Sequence, residues 1–274
     1  MDAVPVTLGQ EFGGYAAQVR EGRARVEAAL ERVGKIPLGG TATGTGLNTH
    51  PEFAERVRAK LRDDTGLEIE PPADPFEAQA NRDALVELSG AMKVLAVSLT
   101  KIANDLALMG SGPRAGLAEI FLPELQKGRS IMPGKVNPVI CEVVLQVGAQ
   151  VIGNDVAITV AGTQGQFELN VRVPLIARNV LDQLQLLSSA SRLLAEKCVD
   201  GIQVNREMCE RYAEATLSTA TALNPYIGYE KGEQIVKEAS RSGRPLREVA
   251  RDLGVEEGTL DEALDLRKMA KGNL

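Results

Sequence analysis

The sequence of 274 residues predicts an all-α fold, an elongated bundle of long helices followed by a small C-terminal helical domain. Aromatic residues make up only 3% of the chain and tryptophan is absent. The core must therefore consist of small aliphatic side chains, which suit packed helices better than stacked sheets. Apolar residues also recur every three to four positions over several long segments, which is the spacing of amphipathic helices. Beyond about residue 220 the segments become short and are separated by Gly and Pro.

The first half of the chain is predicted to contain three helices. Residues 7–33 form the first, because apolar positions recur at helical spacing with Arg and Glu between them. Residues 34–51 are rich in Gly and Thr and are expected to be irregular. A second helix is predicted over 51–65. After the Pro71-Pro72 break a very long third helix is predicted over 76–108, a segment without internal proline.

The second half of the chain begins with two further long helices, predicted over 138–160 and 167–199. The latter is expected to bend at Pro174, where a backbone hydrogen bond is lost. The change to shorter segments near residue 220 divides the chain into two predicted domains. These are a central bundle over 1–220, which carries the loop 128–138, and a small helical domain over 221–274.

Composition restricts the location and the partners of the protein. A net charge of -6 and a pI near 5.1 exclude a general nucleic-acid binder, because no basic excess can neutralise phosphates. The three cysteines show no metal-type or redox-type spacing, and the first residues lack the pattern of a signal peptide, so a cytoplasmic protein is expected. Residues 143–161 are the most apolar stretch, but polar residues interrupt them. We interpret this stretch as a buried bundle helix, and no membrane partner is expected.

The segment 128–138 reads Gly-Arg-Ser-Ile-Met-Pro-Gly-Lys-Val-Asn-Pro and holds most of the functional information. Its glycines predict a loop, and Asn137-Pro138 looks like a helix cap followed by proline at the first helical position. Lys135 and Asn137 are therefore expected at a helix N-terminus. There an ammonium group, an amide and free backbone N–H groups together suit a carboxylate or an enolate-like anion.

This segment resembles the signature loop of the fumarase/aspartase superfamily, which is written Gly-Ser-Ser-x-x-Pro-x-Lys-x-Asn. Five of its positions are in register, namely Gly128, Ser130, Pro133, Lys135 and Asn137. Arg129 stands where the family carries its first serine, which the family uses as the catalytic base. Four more stretches are similar to the family, at 38–49, 101–105, 111–117 and 223–228.

The resemblance implies reversible anti addition of water or ammonia across fumarate, through a carbanion stabilised as an aci-carboxylate. Lys135 and Asn137 would bind the dicarboxylate substrate and stabilise the additional charge. Glu142 matches the glutamate that orients a histidine in the family, and Ser130 is a neighbouring hydroxyl that is a candidate to replace the lost serine. Residues 6–11 resemble the segment just after the family's Thr-x-His-x-Gln motif, which implies that an N-terminal domain with that histidine is missing.

Other ligand sites are not indicated by the sequence. The run Gly39 to Gly46 lacks the Gly-Lys-Ser/Thr ending of a nucleotide loop, and no strand is predicted before it. His50 has no second ligand at a metal-type spacing, and it does not match the family's histidine. We therefore expect neither a cofactor nor a metal.

Three functions stay open on the sequence. A lyase of the class II fumarate hydratase type comes first, aspartate ammonia-lyase second, and an inactive oligomeric scaffold third. Arg129 is interpreted as a surface residue or as a cation that captures a carboxylate. It cannot be a general base at neutral pH, because its pKa keeps it protonated. The family's active sites form where the subunits of a homotetramer meet, so the resemblance also implies a homotetramer.

Overall fold

The computed structural model describes residues 2–125 and 131–272, and it confirms the all-α prediction. The chain forms two compact units. Unit 1 consists of Met1–Tyr15, Ser111–Phe121 and Gln203–Leu274, and unit 2 consists of Ala16–Gly110 and Leu122–Ile202. The division into domains at residue 220 stays a prediction.

The long helices lie in the first three quarters of the chain. They are α1 (Leu8–Val33), α2 (Phe53–Thr65), α4 (Asp83–Met109), α5 (Val139–Gly162) and α6 (Val173–Lys197), with the short α3 (Pro75–Ala80) before α4. The remaining helices are α7 (Arg206–Ala215), α8 (Asn224–Ile227), α9 (Tyr229–Ser242), α10 (Leu246–Asp252), α11 (Glu257–Ala263) and α12 (Leu266–Lys271), with 3-10 turns at Val199–Gly201 and Leu217–Leu223. Two short antiparallel strands, β1 (Ile120–Phe121) and β2 (Gln203–Val204), pair Ile120 with Val204.

The very long helix predicted over 76–108 is wrong, because two helices occupy this segment. Asp74 caps α3 by accepting hydrogen bonds from the backbone N–H groups of Phe76 and Glu77, each at 2.8 Å. The helix then ends at Ala80, since Asn81 adopts an extended conformation with φ -110° and ψ 166°. Asparagine interrupts helices without proline, because its amide competes with the backbone for hydrogen bonds.

The predicted bend at Pro174 is also wrong. Helix α6 begins at Val173, so Pro174 lies in its first turn, where a missing N–H removes no helical hydrogen bond. The residues before it form a tight turn in which Gln166 pairs with Leu169, and Phe167 at its tip has a positive φ of 50°. The Asn170 amide closes the connection by donating to the Ala161 carbonyl at 3.1 Å.

The core of unit 2 is formed where α4 and α6 each pack antiparallel to α5. Two glycines of α5 allow a close approach to α4. An added Cβ at Gly148 would lie 2.3 Å from the Thr100 Oγ1, and one at Gly162 would lie 2.8 Å from a Val86 methyl group. At these two positions the backbone of α5 therefore lies directly against side chains of α4, an approach that small residues such as glycine permit.

A buried polar cluster joins the three helices of this core. The Asp155 carboxylate of α5 accepts hydrogen bonds from the Ser89 hydroxyl at 2.7 Å and from the Lys93 ammonium at 2.6 Å, both on α4. The Gln183 amide of α6 donates to the Ser89 Oγ at 3.1 Å and to the Val151 carbonyl at 3.0 Å. Because buried polar groups must be paired, this cluster fixes how the helices align along one another.

Among the described residues, α5 is the one helix that is long and apolar enough to cross a membrane, with a third of its most apolar stretch buried. Core helices of bundles share this composition. Its buried carboxylate and its close packing on α4 and α6 agree with the interpretation as a bundle helix.

Unit 1 has its own apolar core, formed by the short C-terminal helices. Its buried members are Ala220, Leu223, Ile235, Ala239, Leu246, Val249, Ala250, Val255, Leu260 and Ala263. The N-terminal segment belongs to this unit, since the Thr216 hydroxyl donates to the Ala3 carbonyl at 3.3 Å. On its surface Arg251 and Glu257 form an ion pair at 2.8 Å, and this hydrogen bond lowers the pKa of the Glu257 carboxyl.

Candidate functional site

The candidate site lies at the N-terminal end of α5, where the described part of the signature loop leads into the helix. Residues 131–136 are exposed, and the Lys135 N–H donates to the Met132 carbonyl at 3.3 Å in a turn. The Lys135 ammonium is exposed and forms no ion pair within residues 2–125 and 131–272. Arg129 and Ser130, two of the predicted site residues, lie outside the described residues.

Asn137 does not cap the helix as predicted. Helix α5 begins at Val139, Pro138 takes the capping position with φ -77° and ψ 58°, and no side chain of residues 2–125 or 131–272 caps the helix. The Val139 N–H instead donates to the backbone carbonyl of Asn137 at 2.8 Å. The half-buried Asn137 amide is thus left without a hydrogen-bond partner in the described part of the chain, so it is available to a ligand.

The beginning of α5 adds a favourable potential for anions. No side chain in the described part of the chain bonds to the N–H groups of the first turn of this 24-residue helix, so the helix end carries partial positive charge where Lys135 and Asn137 lie. Lys135 precedes the helix by only four residues. The ammonium, the amide and the helix end together form a region suited to a carboxylate.

Glu142 lies in the first turn of α5 and is exposed. Its position next to a helix N-terminus stabilises the negative charge of its carboxylate. Its side chain has no hydrogen-bond or ion-pair partner among the described residues. The structure thus brings Lys135, Asn137 and Glu142 to one end of α5, while the catalytic role of Glu142 stays a prediction.

The Gly- and Thr-rich stretch after α1 is irregular, as predicted, and it is held by a buried glutamine. The Gln79 amide nitrogen donates to the backbone carbonyls of Thr41 at 2.9 Å and Ala42 at 2.6 Å. Gly44 has a φ of 112°, and a Cβ added to it would lie 3.0 Å from a ring carbon of Phe76. Only glycine adopts this conformation so close to a neighbouring helix without strain.

Sequence reasoning missed one feature beside this site. Cys141, in the first turn of α5, and Cys198, at the end of α6, are both buried, and the interaction between their thiols raises the pKa of Cys141 and lowers the pKa of Cys198. Cys198 follows Cys141 by 57 residues, so no local spacing rule could pair them. The usable signal is the pattern of two long consecutive helices, whose far ends meet when they pack antiparallel.

No group of three or more His, Cys, Asp or Glu is placed to hold a metal ion within the described ranges. His50, the single histidine, uses its Nδ1 to accept the Glu52 N–H at 3.2 Å. This is a local turn contact.

Most of the chain matches known protein families. Residues 1–153 match the family described as Lyase, and residues 220–271 match the one described as Fumarase C C-terminus. Curated relatives include the class II fumarate hydratase of Corynebacterium efficiens, which is 55% identical and covers 98% of this chain and 59% of the relative. The class II fumarate hydratase of Mycobacterium tuberculosis H37Rv is 53% identical over 99% of this chain and 58% of its own length. Human mitochondrial fumarate hydratase is 53% identical over 92% and 50%.

Solved structures that resemble this chain include a fumarase and a fumarate lyase. The crystal structure of recombinant class II fumarase from Schistosoma mansoni has a TM-score of 0.97 at 38% identity, covering 100% of this chain and 60% of that chain. A fumarate lyase:delta crystallin from Brucella melitensis bound to cobalt has a TM-score of 0.93 at 47% identity, covering 98% and 59%. The chain thus spans about 59% of the length of the first curated relatives that it matches.

The match of residues 1–153, more than half of the chain, to the family described as Lyase shows the class of protein, the lyases. Within that class, the chain belongs to the fumarase/aspartase superfamily, whose signature loop its sequence resembles.

Proposed function

We propose that this chain is a lyase of the class II fumarate hydratase type, which adds water reversibly across fumarate to give malate. The observation that carries this proposal is the identity of 53–55% to curated class II fumarate hydratases over at least 98% of the chain. Aspartate ammonia-lyase is the second candidate. It is favoured by the segments 122–126, 142–144 and 151–155, which are similar to those of aspartases.

The proposed chemistry makes two demands on the protein. A base must remove a weakly acidic proton next to a carboxylate, and the additional negative charge must be stabilised. The Lys135 ammonium, the Asn137 amide and the start of α5, which no described side chain caps, supply positive potential for the second demand. In this proposal they bind one carboxylate of the dicarboxylate substrate and stabilise its aci-carboxylate form.

The first demand is poorly met, because Arg129 replaces the serine that the family uses as the base. A guanidinium stays protonated at neutral pH and cannot accept the proton. Ser130 is adjacent, but its hydroxyl is displaced by one residue along the chain. We therefore propose that Arg129 lowers turnover severely without removing the carboxylate-binding region.

The test is a fumarate absorbance assay with malate and, separately, with aspartate, on the unmodified chain and on Arg129→Ser. Fumarate formed from malate, and faster by about 100-fold or more in Arg129→Ser, is the expected result, since a positioned base contributes about 10²–10⁴-fold. Fumarate from aspartate alone would establish the ammonia-lyase instead. Rapid turnover of malate by the unmodified chain would refute the impairment by Arg129.

The third hypothesis, an inactive scaffold, predicts that neither protein forms fumarate from either substrate. To separate this outcome from misfolding, both proteins are first compared by circular dichroism and thermal unfolding. Two well-folded, silent proteins would overturn the proposed activity of this chain.

We also propose that the chain associates as a homotetramer. The exposed side of α5 supports this, because beyond Glu142 it carries no charge and includes large apolar side chains, with Val156 58% and Val160 56% exposed in the single chain. Exposed apolar side chains grouped on one helix are often covered by another protein surface. A cytoplasmic location stays a prediction from composition; among the relatives, some are named mitochondrial.

A further inference from the structure

Helix α1 is shared by the two units and is anchored within each of them. Its first turns belong to unit 1, where the Gln10 amide donates to the Ala270 carbonyl of α12 at 2.6 Å. Its later turns belong to unit 2, where the Arg32 guanidinium donates to the Glu87 carboxylate of α4 at 2.7 Å. One continuous helix therefore runs from one compact unit into the other.

A pair of glycines lies between these two anchors. Gly13 and Gly14 stand directly before the point where the chain leaves unit 1, after Tyr15. Both are exposed, and an added Cβ at either would meet no described atom within 4 Å. Gly22 of the same helix differs, since a Cβ there would lie 2.9 Å from a Leu95 methyl group. Packing thus accounts for Gly22 but not for the glycine pair.

Two successive glycines weaken a helix at one place. Glycine loses more backbone freedom than alanine on entering a helix, and it leaves the backbone more exposed to water. No close contact in the described part of the chain offsets this cost at residues 13–14. Sharp bends in helices commonly occur at glycine. Helix α1 should therefore open and bend here more readily than elsewhere along its length.

The three other connections between the units are held together by contacts inside each unit. In unit 1, β1 ends just before one connection, β2 begins just after another, and the two strands pair. In unit 2, Leu122 lies against Gly110 and Pro123 lies against Gly201, where an added Cβ would be 3.0 and 2.5 Å from these side chains. Helix α1 is thus the one connection that crosses at a point without close packing among the described residues.

We propose that Gly13-Gly14 is a hinge, at which α1 bends as unit 1 turns relative to unit 2. The three packed connections form the pivot, and the glycine pair absorbs the change in backbone angles. Hinges of domain motions are a few residues that take up such changes while the packed cores on both sides stay intact. The hinge does not depend on the proposed fumarate chemistry.

Hydrogen–deuterium exchange of the folded full chain, followed by mass spectrometry, tests whether α1 opens at this point. Peptides that cover residues 12–18 should exchange faster than those that cover 22–29 of the same helix. In Gly13→Ala/Gly14→Ala, exchange over 12–18 should slow by about 10-fold or more, because alanine favours the helical state at both positions. Gly90→Ala, the control, makes the same change in α4 and should leave exchange over 12–18 unchanged.

A distance between the units measures the motion itself. Spin labels are placed at Ala28→Cys in α1 and Lys237→Cys in α9, two exposed positions in units 2 and 1, with Cys209→Ser as background. Labelled protein is diluted with unlabelled protein, so that pulsed electron paramagnetic resonance reports distances within one chain. The distribution should be broad with the native glycines and narrower in Gly13→Ala/Gly14→Ala.

Two outcomes would overturn the hinge. One is equal exchange and equal width of the distance distribution with and without the glycine pair. The other is an equal effect of Gly90→Ala, which would indicate general stabilisation. The added methyl groups meet no described atom within 4 Å and alanine is the better helix former, so these variants should fold, as circular dichroism can verify. Neither readout requires turnover, so failure of the proposed hydratase activity leaves the test intact.

Discussion

At the scale of single residues, the exposed charge of Lys135 is the main support for an anion-binding site. An exposed lysine in a helical protein commonly pairs with a carboxylate, as Lys60 does with Asp64 at 2.5 Å. Lys135 has no such partner in the described ranges and stands four residues before an uncapped helix. Its charge is therefore available to an external anion.

Replacing this charge should weaken the binding of a dicarboxylate. We expect Lys135→Met to raise the Kd for succinate by about 10- to 100-fold, because a hydrogen bond to a charged group is worth about 1.5–3 kcal/mol. Isothermal titration calorimetry measures this directly. Lys60→Met is the matched control, since it removes another exposed lysine of unit 2 and should leave the Kd unchanged. An equal loss in both variants would contradict a specific role for Lys135.

The residue scale also shows what sequence reasoning can and cannot reach. It proposed Lys135 and Asn137 as site residues, which stays a prediction, because a loop motif lies within a few positions of the chain. It assigned Asn137 the wrong backbone role, since the conformation of Pro138 decides where α5 begins. It could not relate Cys141 to Cys198, because the mutual effect of these thiols on their pKa values depends on the packing of two complete helices.

At the scale of elements, the close packing of α4 on α5 depends on glycine. A Cβ at Gly148 would lie 2.3 Å from the Thr100 Oγ1, which is itself buried without a hydrogen-bond partner in the described part of the chain. By contrast, a Cβ at Gly90 of α4 would meet nothing within 4 Å. Alanine at position 148 therefore adds a steric clash to the gain in helix propensity, whereas alanine at position 90 changes helix propensity alone.

We expect the two alanine substitutions to have opposite effects. Gly148→Ala should lower the free energy of unfolding by up to about 2 kcal/mol, since overpacking costs about 1–3 kcal/mol and helix propensity returns about 1 kcal/mol. Gly90→Ala should raise it by about 1 kcal/mol. Urea unfolding followed by circular dichroism measures both. A stabilised Gly148→Ala would show that α4 and α5 do not approach as closely as the structure indicates.

Most element boundaries could be predicted because hydrophobic periodicity is strong in long helices. The predicted 7–33 and 138–160 correspond to Leu8–Val33 and Val139–Gly162. The break between α3 and α4 was missed, since it depends on the backbone conformations of Asn81 and Arg82 and not on a proline. The start of α6 was misplaced because residues 167–172 have helical composition but form the turn that Asn170 closes.

At the scale of the whole molecule, the exposed apolar side chains of α5 favour association of the chain with further copies of itself. In solution at micromolar concentration, we expect light scattering to give a mass four times the 29.3 kDa of one chain. Val156→Lys should produce smaller species, because a charge on the apolar face of α5 cannot be buried without a partner. Leu67→Lys, at an equally exposed apolar residue after α2, is the control and should keep the larger mass. A monomeric unmodified chain would refute the tetramer.

The close contacts of α5 have a consequence for how this sequence can vary over evolution. Gly162 follows Gly148 by 14 residues, close to four helical turns, so both glycines face α4. A single inserted residue between them would rotate one glycine by about 100° away from its contact and bring a larger side chain against Thr100 or Val86. Insertions and deletions should therefore be absent from this segment among descendants of the same ancestor, and should collect in the surface turn at 163–169 instead.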